Sequence, residues 1–173
     1  MDVLIEFGKL LIPATIVLYA AYLLVRSFIQ KDLELKQLEV RSRSIETVLP
    51  NRLHAYERIT LFLERISPQN LLIRIGGAGM AAREFHQSLL AEIRNEYNHN
   101  VSQQVYMSET VWDLVKSAKE DLVVTINDAA SELTAEATSL DLSKKIVEKT
   151  LSKQIDPIAH ALSELKKEIQ RTF

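Results

Sequence analysis

The side chains best suited to acid–base or metal chemistry are four histidines, at positions 54, 86, 99 and 160. Imidazole titrates near neutral pH and ligates transition metals. Only one of the four has a suggestive neighbour. Glu96 and His99 stand three apart, a spacing that puts a carboxylate and an imidazole on one helix face. A di-metal bundle needs that pattern twice, with further inward carboxylates; one copy is present, and the adjoining Arg94 and Asn95 read as a solvated face. There is no cysteine to serve as a nucleophile, and no serine sits in a GxSxG elbow. Gly76-Gly77-Ala78-Gly79 lacks both the GxxxxGK[ST] and the GxGxxG patterns that cradle phosphates, so it reads as a helix stop and turn. Residue types and spacings therefore nominate no catalytic residue, no cofactor site and no metal site.

The least ordinary local chemistry lies between Tyr97 and Tyr106. There Asn98, His99, Asn100, Gln103 and Gln104 gather uncharged amides and an imidazole between two aromatic rings. Such groups suit a buried hydrogen-bonded junction between helices. They suit equally a surface that recognises a partner's backbone, and these five are candidate partner-binding residues. Nucleic acid is not an expected partner: a net charge of −2 leaves no basic footprint.

Residues 10–25, LLIPATIVLYAAYLLV, contain no charge and are closed by Lys9 and Arg26. Sixteen helical residues cover about 24 Å, and extension to 8–28 gives about 31 Å, enough for a bilayer core of about 30 Å if Lys9 and Arg26 snorkel to the headgroups. A cleavable signal fits poorly, because Asp2 and Glu6 precede the run and Tyr19-Ala20-Ala21 puts a bulky ring where a small residue belongs. An interfacial helix would need a polar face, which this run lacks. A buried core helix is the remaining alternative. Arg26, Lys31, Lys36, Arg41 and Arg43 follow the run, whereas only Lys9 precedes it. The positive-inside bias then predicts an outside N-terminus and a cytoplasmic C-terminal domain.

In residues 31–49 Leu35, Leu38, Ser42, Ile45 and Leu49 recur at alternating three and four, a short heptad stripe. It reads as a coiled-coil-like stalk or as an amphipathic helix packed on its own domain. Leu35, Leu38, Ile45 and Leu49 are candidate partner contacts. Pro50 predicts the end of that helix, because the residue before a proline is pushed out of the α region. Beyond it, apolar stripes mark helices: Leu53, Tyr56, Ile59, Leu63 and Ile66; Ala82, Phe85, Leu89, Ile93 and Tyr97; Val111, Val115, Ala118, Leu122 and Ile126; and Ile158, Ala161, Leu162, Leu165 and Ile169. Ser67-Pro68 and Asp156-Pro157 read as caps with proline at the first helical position, Ser108 opens a long helix, and Ser139 or Asp141 caps one over about 141–153. The fold class is all-α: a transmembrane helix (1–30), a juxtamembrane helix (31–49), and a compact cytoplasmic bundle of five to six helices (50–173).

The stretches YERITLFLERISPQNLLIRI (56–75), EIRNEYNHNVSQQVYMSETVWDLVKSAKE (92–120) and LDLSKKIVEK (140–149) resemble an uncharacterised family of short membrane-anchored helical proteins of Gram-negative bacteria. The resemblance implies an inner-membrane location and carries over no functional residue. The expected function is a membrane-anchored helical scaffold or accessory subunit of a larger inner-membrane assembly. Its partners would be the lipid bilayer and other membrane proteins or a second copy. The alternatives are a stalk-type subunit of a rotary or secretion machine, weakened by the expected breaks at Pro50, Pro68 and Gly76-Gly77, and an enzyme on a membrane substrate.

Overall fold

The computed structural model describes the backbone of residues 2–172 and the side chains of residues 11, 15–37, 39 and 48–171. Six α-helices and one 3-10 helix account for nearly all of it: α1 (Asp2–Ile66), α2 (Pro68–Ile75), α3 (Ala82–Asn100), the 3-10 helix Val101–Tyr106, α4 (Glu109–Ser131), α5 (Ser139–Leu151) and α6 (Pro157–Thr172). The chain divides into two compact units, Met1–Leu49 and Pro50–Phe173. The only pairing of extended backbone among the described residues is an isolated bridge between Ala81 and Thr138.

In the first unit every described side chain from Thr15 to Gln37 is exposed, and the large apolar ones lie on all sides of the helix. Leu18, Leu24 and Phe28 are more than two-thirds exposed. The membrane-spanning helix expected over residues 1–30 falls partly outside the described side chains; among the described residues no helix is long and apolar enough to cross a membrane. The described part of the run is Leu11 and Thr15 to Val25, after which Arg26 follows. The rest of the run lies outside the described side chains, as do Lys9, Leu38 and Ile45.

The expected helix end at Pro50 is also corrected, since α1 continues through it to Ile66. Proline removes one backbone donor and crowds the preceding turn. It does not abolish the helical bonds on either side, and the packed face that follows outweighs the local preference.

The second unit is built on that packed face. Tyr56, Ile59, Leu63 and Ile66 are buried, as their spacing predicts, together with Ala55 and Phe62. Leu53 is 43% exposed, so the buried stretch of α1 begins at Ala55. The α3 and α4 stripes are buried as read, apart from half-buried Tyr97. Leu142 and Ile146 of α5 and Ile158, Ala161 and Leu165 of α6 complete one core. Phe62, Tyr97 and Trp112 form an aromatic ladder with centroids 6.1 and 5.9 Å apart. Lys119 Nζ lies 4.5 Å from the Tyr97 ring centre, a cation–π contact.

The connections follow turn and cap chemistry. The stretch QNLLIRI belongs to α2, with Pro68 in its first turn, and stops at Gly76, which has φ +54° and donates its amide to the Leu72 carbonyl. Ser67 precedes α2, but its hydroxyl donates back to Glu64 O at 2.8 Å instead of capping. Ser108 Oγ accepts from Val111 N, and Asp156 Oδ1 accepts from Ile158 N at 2.9 Å. The α5 cap is Thr138 rather than Ser139 or Asp141. Thr138 forms a reciprocal capping box in which Asp141 accepts from the Thr138 amide at 2.9 Å.

Candidate functional site

Two polar constellations link helices of the second unit, and they differ in how completely they are satisfied. The first centres on Glu168 of α6. Its Oε1 accepts from the Tyr56 hydroxyl at 2.8 Å and the Ser108 amide at 2.9 Å, while Oε2 accepts from the Ser108 hydroxyl. Arg52 donates to the Tyr56 oxygen at 2.9 Å and to the Tyr106 carbonyl at 3.2 Å. Burial and the adjacent Glu168 carboxylate push the Tyr56 phenol above its ordinary value. Burial also works against the Glu168 charge, but the Ser108 hydroxyl and amide, with Tyr56 and Arg52, hold its pKa below the usual carboxylate range. Every partner here belongs to the fold, so the cluster ties α1, α6 and the start of α4 together.

The second constellation lines an open groove of about 400 Å³ beside α1 and α3. Arg58, Leu61, Phe62 and Arg65 come from α1, and Asn95, Glu96, His99 and Asn100 from α3. Amphipathic helices bury one stripe each, which leaves the long polar side chains flanking those stripes to meet at the groove. Phe62 is buried and Leu61 is 53% exposed, so the lining is partly apolar. Arg65 sets two guanidinium nitrogens on Glu96 Oε1, both at 2.6 Å. Arg74 pairs with Glu92 and approaches the same Glu96 oxygen at 3.7 Å.

Arg58 is bound differently. Its Nε donates to Asn100 Oδ1 at 3.2 Å and one Nη donates to the His99 carbonyl at 2.8 Å. Both acceptors are neutral. Asn100 is buried and is itself fixed by donating from Nδ2 to Glu96 O at 2.8 Å.

The polar run 98–106 is thus not a break after α3. Asn98, His99 and Asn100 form the last turn of α3, and Gln103 and Gln104 lie in the 3-10 helix. His99 and Asn100 line the groove, whereas Asn98, Gln103 and Gln104 are not among its lining residues. Arg58 and Arg65 escape a reading of the sequence because alternating charges on a helix look like any solvated face. Of the other candidates, Arg26 and Leu35 are exposed and Leu49 is partly buried. The Glu96–His99 spacing does not build a metal half-site, since Glu96 is committed to two arginines. Among the described residues no group of three potential ligands could hold a metal. His86 bonds Asn127 Oδ1 at 2.8 Å, and His54 lies 3.5 Å from Glu57.

At Gly77 a Cβ would sit 2.5 Å from the Phe85 ring, so the missing side chain serves packing. The Ser139 hydroxyl donates to the Gly77 carbonyl at 2.5 Å and pins the same loop. Comparison with curated proteins and with solved structures finds no match for the chain. A family profile does match, over residues 2–172, and the chain belongs to that family, DUF7935, a family of unknown function.

Proposed function

We propose that this protein is a helical scaffold or accessory subunit, anchored at the cytoplasmic face of a bacterial inner membrane by its N-terminal apolar helix, and that it acts by protein–protein interaction. The observation that carries the reading is the all-round exposure of large apolar side chains from Ile16 to Ile29. Contiguous apolar surface of that kind is costly in water and marks contact with lipid or protein. An anchor confines the second unit to the membrane surface and raises its effective concentration toward other membrane proteins.

A second reading, a stalk-type structural subunit, is favoured by one observation: α1 runs from Asp2 to Ile66 without stopping at Pro50. Affinity purification of the full chain in mild detergent, followed by mass spectrometry, tests the proposal. A stoichiometric set of membrane proteins is expected, reduced when Leu38 and Ile45 are replaced by Asp. Recovery of the chain alone contradicts it.

A further inference from the structure

We infer that the α1/α3 groove is a docking site for an acidic segment of a partner protein, one carrying an Asp or Glu beside an aliphatic residue. The inference deepens the proposed function, resting on it only in taking the second unit as protein-binding. It starts from the charges lining the groove. Arg58 and Arg65 are positive and Glu96 is negative, so the arginines outnumber the carboxylate in the groove lining. Glu96 is shared between Arg65 and Arg74, so it has little negative charge left for Arg58.

Arg58 makes no ion pair among the described residues. Its two bonds go to an amide oxygen and a backbone carbonyl. A guanidinium has five N–H donors, so two bonds leave three for a ligand. Those two bonds also fix the plane of the fork, because Asn100 is buried and anchored from α3. A pre-positioned planar fork favours a carboxylate, which it can bind through two parallel bonds with little further loss of side-chain freedom. The exposed Leu61 supplies the apolar contact that selects an aliphatic neighbour. A carboxylate arriving here would also restore charge balance across the groove.

The test is selection of random short peptides displayed on phage against the full chain in detergent micelles. Selected peptides are expected to be enriched in Asp or Glu next to Leu, Ile or Val. In solution, replacing that acid by its amide, or Arg58→Gln in the protein, should weaken binding about tenfold, the scale of one charge-assisted pair. Arg58→Glu should select basic peptides instead. Leu61→Asp, at an exposed position, should weaken binding comparably and keeps the test alive if the Arg58 variants fail to fold. Peptides without acid enrichment, no selected peptide at all, or affinity indifferent to both positions would overturn the inference. If those results coincide with intact co-purification of membrane partners, the groove assignment falls and the scaffold reading stands. If the detergent purification yields no partner, the scaffold reading falls whatever the groove binds.

Discussion

Glu168 joins α1, α4 and α6 through one carboxylate, and its ionisation therefore contributes to stability. Its folded pKa lies below its ordinary value of 4.5, so the contribution is complete above that value and is lost as pH falls through the lower folded one. Glu168→Gln should destabilise the second unit by about 1–3 kcal/mol at neutral pH. The gap from wild type should narrow in acid, as urea denaturation across the acidic range would show. Nothing in the sequence marks Glu168 among the charges of an amphipathic helix. Its importance depends on Ser108 and Tyr56, far away along the chain, and only the fold brings them together. Gly77 makes the same point: the glycine cluster is readable as a helix stop, yet the Phe85 ring that needs the space arrives by packing. Gly77→Ala should cost about 1–3 kcal/mol through overpacking, read as a lowered Tm.

At the scale of elements, apolar periodicity places α3, α4 and α6 and most of the buried face of α1 within a few residues, because burial and helical period are one constraint. Boundaries are harder where several polar residues could cap. Thr138, Ser139 and Asp141 all suit the start of α5, and the structure uses Thr138 as cap with Asp141 as its reciprocal partner. Thr138→Ala should cost about 0.5–2 kcal/mol and Thr138→Ser much less, measurable by thermal unfolding. Pro50 is the clearest failure of a local rule. A proline biases its neighbour against helix, but that bias is one local term against the continued burial of α1 from Ala55 onward. The groove is half legible in the sequence: His99 and Asn100 stand out as an uncharged cluster, while Arg58 and Arg65 do not, because their significance lies in which partners they lack and share.

At the scale of the molecule, the chain combines a first unit whose described apolar side chains are exposed with a second unit holding a complete core. The second unit buries its apolar stripes in that core, while the described large apolar side chains of the first unit stay exposed. That contrast underlies the proposal of a membrane-held interaction domain. Its most direct test is fractionation of cells expressing the full chain, with membranes washed in alkaline carbonate. Wild type should stay in the membrane pellet, and Leu18→Lys with Leu24→Lys should release it while leaving the thermal unfolding of the second unit unchanged. Wild type in the carbonate supernatant, or a doubly charged variant that remains in the pellet, would contradict the account.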